Sequence, residues 1–162
     1  KIERKHPDSD SNIERILDLG FVGEPVAINP HALQVLERSD MIPVVAPIGL
    51  GSDGETYNIN ADTVAGAIAT ALKASKLIML TDVTGVLDTD GNLIGRLTAD
   101  EAHGLLAADG VSGGMIPKLE TCIDAVNAGA GNAHILDGRV SHVLLLEIFT
   151  AHGIGTMIRR DP

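Results

Sequence analysis

A run of small residues, Ala65-Gly66-Ala67-Ile68-Ala69-Thr70-Ala71, leads within a few positions into Leu77-Ile78-Met79-Leu80 and then Thr81-Asp82. The first run predicts a helix over residues 62–74, with a face thin enough to lie close on a sheet. The second predicts a buried strand over residues 76–82, polar only where it ends. A small-residue helix beside so apolar a strand needs a sheet with helices laid against it. The rest of the chain repeats the theme. Residues 6–12 read as a loop, and residues 12–22 as an apolar stretch ending in a strand. Asn29-Pro30 starts a helix running to about Ser39, an Asn cap with Pro in the first helical position. Residues 41–48 form a short β-branched run, predicted as a buried strand. Asp53-Gly54 turns a hairpin that returns through Thr56-Tyr57-Asn58-Ile59, and Asp90-Gly91 turns a second over residues 86–95. Thr98-Ala99-Asp100-Glu101 is a capping box opening a helix that closes near Gly110. Helices over 117–128 and 141–150 alternate with strands over 134–137 and 155–158. The predicted fold is a single α/β domain, a three-layer αβα sandwich with a mainly parallel central sheet plus β-hairpins.

Composition narrows the function classes. Aromatic residues make up only 2% of the chain, so the core must be aliphatic. The net charge of −10 argues against a nucleic-acid surface, which needs a basic stripe. An anionic ligand can still be met by local positive potential from a helix N-terminus, one lysine and Mg²⁺. The single Cys122 excludes an internal disulfide and suits a reducing cytoplasm. No apolar run reaches the ~20 residues of a membrane span. No signal-peptide pattern opens the chain. The opening Lys1-Ile2-Glu3-Arg4-Lys5-His6-Pro7 lacks an initiator Met and reads as a start inside a longer protein.

Three segments carry chemistry. In Asn58-Ile59-Asn60-Ala61-Asp62, alternation puts Asn58 and Asn60 on one face of a strand end. Asp62 there can orient a cation while the amides hold a carboxylate; equally, Asn60 or Asp62 can cap the following helix. In Gly113-Gly114-Met115-Ile116-Pro117-Lys118, two glycines let backbone N–H groups approach a phosphate, and Lys118 can balance charge on a transferring phosphoryl group. The plainer reading is a Gly-rich connection with a solvated lysine; the segment is no Walker A loop. Thr81-Asp82 ends a strand at the carboxyl edge, where ligands of open α/β sheets gather, or else Asp82 caps the turn. Asp88-Thr89-Asp90-Gly91-Asn92 has its glycine at the wrong place for a calcium loop. The six histidines show no metal-ligand spacing, so no resident metal site is expected. Cys122, between Leu119 and Ile123, reads as a small buried hydrophobe.

Taken in order, Asp18-Leu19-Gly20-Phe21-Val22-Gly23, Asn58-Ile59-Asn60-Ala61-Asp62, Leu80-Thr81-Asp82-Val83-Thr84-Gly85-Val86-Leu87, Gly114-Met115-Ile116-Pro117-Lys118 and Gly153-Ile154-Gly155-Thr156 resemble the acetylglutamate kinases of the amino-acid kinase family. The resemblance covers nearly the whole chain from about Asp18. It implies ATP-dependent phosphorylation of the side-chain carboxylate of N-acetyl-L-glutamate, with Mg²⁺, in arginine biosynthesis in the cytoplasm. By the family pattern, Lys118 stabilises the transferring phosphoryl group and Asp62 organises the catalytic lysines. Asn58 holds the substrate's α-carboxylate and Asn60 lines the same site. Thr81, Asp82, Val83, Leu87 and Met115 surround the nucleotide. His142 with Leu144-Leu145-Leu146-Glu147-Ile148-Phe149-Thr150 and Gly153 resembles the C-terminal segment of arginine-inhibited members, where Glu147 and Gly153 meet the effector. Such members are homo-oligomers at full length. The family's early Lys-x-Gly-Gly strand, its substrate loop and its substrate-binding arginine have no counterpart here. The resemblance therefore implies residues 1–162 as the C-terminal nucleotide-binding part, without the N-terminal substrate-binding part and inactive alone. The alternative is an isolated nucleotide-binding module without catalytic activity.

Overall fold

The computed structural model describes residues 20–150 and 153–160. The elements run β1 (Val22–Gly23), α1 (His31–Arg38), β2 (Ile48–Leu50), β3 (Thr56–Ile59), α2 (Ala61–Leu72), β4 (Lys76–Thr81), β5 (Arg96–Thr98), α3 (Ala99–Ala107), α4 (Met115–Asn127), β6 (Asn132–Asp137), α5 (Val143–Phe149) and β7 (Thr156–Arg159). The predicted α/β alternation is present, but the strands divide between two mixed sheets. One has the order β1-β3-β2 and the other β4-β6-β7-β5. Pairings β1–β3, β4–β6 and β5–β7 are parallel, while β2–β3 and β6–β7 are antiparallel. Parallel pairing thus predominates, and α2 carries the chain from the smaller sheet to the larger.

The larger sheet is built on β4 and β6, paired in unbroken register from Lys76 opposite Asn132 to Thr81 opposite Asp137. Both strands therefore finish together, and their polar last residues lie side by side at the carboxyl edge. In β6, Ala133, Ile135 and Leu136 are fully buried. Helix α4 covers this sheet with Leu119, Cys122, Ile123, Ala125 and Val126, a stripe at helical spacing. Each large aliphatic side chain buried in this way contributes about 1.5–3 kcal/mol. Cys122 is the small hydrophobe expected. Its Sγ lies 3.8 Å from Met79 Sδ, and burial pushes its thiol up to about 12.

Helix α2 packs on α4 at a point where Gly66 meets the Thr121 methyl so closely that a Cβ would not fit. The small-residue run thus makes its closest approach to a helix, where a sheet was expected. The capping box is formed as read: Thr98 Oγ1 accepts the Glu101 amide at 3.2 Å, and Glu101 Oε2 accepts the Thr98 amide at 2.7 Å. Asn29 Oδ1 accepts from the His31 amide at 3.1 Å at the start of α1. Both hairpins are present. Gly54 and Gly91 turn at φ of 85° and 81°, a region that favours glycine.

One predicted element fails. Residues 41–48 are not a buried strand: only Ile48 enters β2, and Ile42 and Val44 are 92% and 94% exposed. Pro43 and Pro47 have no N–H to give a ladder, which outweighs the β-branched composition around them. Smaller shifts occur elsewhere. Helix α4 begins at Met115, ahead of Pro117, and α5 is shorter at both ends than the predicted 141–150. The predicted loop over 6–12 and most of the stretch 12–22 lie outside the described residues; its end is β1.

Candidate functional site

The Asn-x-Asn-x-Asp segment spans the end of β3 and the first turn of α2. Ile59 points inward, 8% exposed, and leaves Asn58 and Asn60 on the open face. Asn60 is the cap of α2: its Oδ1 accepts the amides of Asp62 at 2.9 Å and Thr63 at 3.2 Å. With that oxygen committed to the helix, its side-chain NH₂ is the part left to meet a ligand. Asp62 turns to α4 instead, where its Oδ2 accepts from Lys118 Nζ at 2.7 Å. The two side chains keep 27% and 18% of their surface.

This pair sits on an unusual foundation. Asp62 meets Lys118 in the first turns, and Gly66 meets Thr121 one turn further on. Helices α2 and α4 therefore run in the same direction with their N-termini adjacent. Each N-terminus carries about half a positive charge, and Lys118 adds a full one. Asp62 offsets part of that charge and fixes where the ammonium points. An anion approaching here would find positive potential, a directed cation and two exposed amides. At the start of α4, Gly113 has φ of 58°, and the amides of Met115 and Ile116 close turns onto Ser112 O and Gly113 O, both at 3.3 Å. The backbone donors expected behind the glycines are thus partly spent within the loop. Met115 itself is half-buried against the core.

A second set of residues occupies the carboxyl edge of the larger sheet. Thr81 Oγ1 donates to Asp82 Oδ1 at 3.3 Å, and the Gly138 amide donates to Thr81 O at 2.8 Å. The neighbouring strand end brings in a residue pair that the sequence reading missed. Asp137 Oδ1 accepts from Arg139 N at 3.0 Å and Nε at 2.9 Å, and its Oδ2 accepts from Nη2 at 2.8 Å. The Arg139 side-chain bonds, then its amide, hold the Asp137 carboxyl down at about 2. Arg139 is in turn held charged by Asp137 and, to a smaller degree, by Asp82. The signal was available: Asp137 ends a strand by the same logic that singled out Asp82. Val83 follows in the bend after β4 and Leu87 in the 86–95 hairpin, each 40% exposed.

Glu147 and Gly153 form a third cluster. Gly153, at φ of 61°, lies so close to the Glu147 carboxylate that a Cβ would collide with it. Glu147 Oε1 is 2.6 Å from His134 Nδ1, and its Oε2 accepts the Ile154 amide at 2.8 Å. His134 Nε2 lies 2.9 Å from Asn132 Oδ1. Burial pushes the Glu147 carboxyl up, but the Ile154 amide and His134 outweigh it and the net shift is downward. His134, 4% exposed, was not singled out in the sequence; only its place in a buried strand could have flagged it. Among the described residues no three His, Cys, Asp or Glu side chains converge as a metal site. No helix among them is long and apolar enough to cross a membrane.

Residues 3–137 match the sequence profile of the amino acid kinase family. The chain belongs to that family. Among its relatives, the acetylglutamate kinase of Parvibaculum lavamentivorans is 59% identical over 160 residues, covering 99% of this chain and 53% of the relative. That of Rhodospirillum rubrum is 62% identical over 159 residues, covering 98% and 51%. The chain thus spans about half the length of the curated relatives it matches. The fold is similar to that of N-acetylglutamate synthase from Neisseria gonorrhoeae complexed with coenzyme A and L-arginine. The TM-score is 0.83 at 30% identity, over 90% of this chain and 34% of the synthase. Carbamate kinase from Giardia lamblia bound to AMP-PNP gives 0.70 at 18% identity over 99% of this chain and 52% of that one, a likeness of fold alone. The amino-acid kinase fold expected from the motifs is therefore the one observed.

Proposed function

We propose that this chain is the C-terminal, nucleotide-binding part of an acetylglutamate kinase, which phosphorylates the side-chain carboxylate of N-acetyl-L-glutamate with ATP. The observation that carries this reading is the Lys118–Asp62 pair at 2.7 Å, seated where two helix N-termini meet. The acceptor needs no general base, because a carboxylate of reference pKa about 4.3 is ionised at neutral pH. Its oxygen attacks the γ-phosphorus, the bond to the β–γ bridging oxygen breaks, and ADP leaves with that electron pair. What the chain supplies is alignment and charge. Asn58 and the Asn60 NH₂ hold the acceptor's carboxylate groups. Lys118, aimed by Asp62, meets the charge on the transferring phosphoryl oxygens. Thr81, Asp82, Val83, Leu87 and Met115 surround the nucleotide at the carboxyl edge of the sheet. Mg²⁺ bound to the nucleotide phosphates would neutralise part of their charge, with no cage of carboxylates needed from the chain. Glu147 and Gly153 form an arginine effector site, a reading supported by the synthase relative solved with L-arginine. At full length the enzyme is a cytoplasmic homo-oligomer.

The relatives carry about as many residues again as the matched half, so the 162 residues alone are expected to bind ATP and to transfer phosphate slowly or not at all. Two measurements test this. ATP with Mg²⁺ should raise the melting temperature of the chain, and Lys118→Ala should abolish the rise. Trapping with hydroxylamine should detect acylphosphate from the chain joined to the missing half. A nucleotide shift unaffected by Lys118→Ala would refute the assigned site.

A further inference from the structure

The bend after β4 that carries Asp82 and Val83 runs directly into the 86–95 hairpin, which carries Leu87 and has little sheet pairing of its own. It closes on itself through one bridge, Leu87 to Leu93, and through backbone bonds from Ile94 N to Val86 O and Asp88 N to Asn92 O, both 2.9 Å. Besides the Met157 amide, which donates to Gly95 O at 3.0 Å, a distant side chain ties it to the body of the domain. Thr156, the first residue of β7, is fully buried. Its Oγ1 accepts the Val86 amide at 2.8 Å and donates to Ile94 O at 2.7 Å. One hydroxyl thus grips both arms of the hairpin at the same level, with the fully buried Val86 side chain beside it. Gly85, at φ of 146°, passes so near Thr156 that a Cβ would lie 2.6 Å from the hydroxyl oxygen. The glycine lets the hairpin come within reach of the clasp.

From this geometry we infer that Thr156 is a positioning residue of the nucleotide site. Its hydroxyl sets the pose of the 83–87 segment and through it the affinity for ATP. The inference rests on the assignment of that hairpin to the nucleotide. A hydroxyl is required because the site needs an acceptor for Val86 N–H and a donor for Ile94 C=O at once, and only Ser or Thr offers both in that space. The residue also lies three positions after Gly153 and two after Ile154, whose amide Glu147 holds. The hairpin is therefore anchored on the same short run of backbone that the Glu147 carboxylate fixes.

The test measures ATP binding calorimetrically, with Mg²⁺ present, for the wild-type chain, Thr156→Val and Thr156→Ser. Valine keeps the shape and loses the hydroxyl, which lowers stability; through the shifted pose of the 83–87 segment it is expected to weaken ATP binding by about tenfold. Serine restores the hydroxyl and is expected to bind within about threefold of wild type. A Thr156→Val chain that melts lower but binds ATP as tightly as wild type would show a structural role only and overturn the inference. If Thr156→Val does not fold, amide exchange on the wild type decides. Val86 N–H should exchange more slowly once ATP is bound, and unchanged exchange there alongside protection at Leu87 overturns it. A wild-type chain that takes up no ATP would instead overturn the nucleotide assignment itself.

Discussion

Gly66 rests against the methyl of Thr121 with no room for a Cβ between them, and one turn back the same two helices bring Asp62 to Lys118. The spacing at the glycine therefore governs the spacing at the ion pair. Gly66→Ala gains about 1 kcal/mol of helix propensity but forces overpacking that typically costs about 1–3 kcal/mol. The net expectation is a loss of up to about 2 kcal/mol in urea denaturation. Thr121→Ser removes the opposing methyl, and the double variant should recover most of the loss. A double variant no more stable than Gly66→Ala alone would locate the strain elsewhere.

Asp62→Asn keeps a side chain of the same size at the helix start but no longer fixes the Lys118 ammonium by charge. Under the proposed function, this variant in a full-length chain should lose phosphoryl transfer by about 100-fold, the scale seen when one electrostatic group is misplaced. ATP affinity should change far less. Steady-state kinetics separate the two, and an equal loss in both would point to a collapsed nucleotide site.

The Asp137–Arg139 clasp gives a pH dependence of fixed sign. Its carboxyl titrates below the ordinary value, at about 2 in the fold. The stability it contributes is complete above the unfolded value of about 3.9 and drains away as pH falls through the folded one. Arg139→Ala should raise the Asp137 midpoint toward, but not fully to, the ordinary carboxylate value, because residue 139 keeps its backbone amide bond to Oδ1; carbon NMR of the carboxyl follows it. A midpoint that stays near 2 without the arginine would assign the shift to other donors.

Thr98→Ala removes one half of the capping box at the start of α3. The expected cost is about 1 kcal/mol. In a protein of this size that corresponds to a fall of about 2–4 °C in melting temperature. Calorimetry is the direct check, and an unchanged melting temperature would mean that the helix start is held by its packing.

Local chemistry made much of this fold readable. The small residues of α2 pointed to close packing, expected against a sheet; the tightest approach, at Gly66, is to α4. The Thr98–Glu101 box and the Asp53-Gly54 and Asp90-Gly91 turns are decided within a few residues, so they were visible in the sequence. What escaped was decided at a distance. Residues 41–48 have the composition of a strand, yet their two prolines withhold ladder donors, and composition alone weighed the first fact without the second. The division into two sheets depends on which strands α2 connects, and no periodicity records that. At the candidate site, the proximity of Lys118 and Asp62 was anticipated, but the parallel run of their helices was not. His134 and Thr156 act through partners 13 and 70 residues away, which leaves no trace in spacing.

The buried thiol of Cys122 has a practical consequence. It lies one helical turn past Lys118, against Met79, and its thiolate is suppressed at neutral pH. Its burial on the sheet side of α4 leads to the expectation that alkylating reagents reach it when α4 lifts from the sheet, an event that would also take Lys118 from its place. The solitary cysteine is thus a built-in clock. Its labelling rate should report how often the charged pair is dismantled, and a ligand bound at that pair should leave a rate that follows the unoccupied fraction.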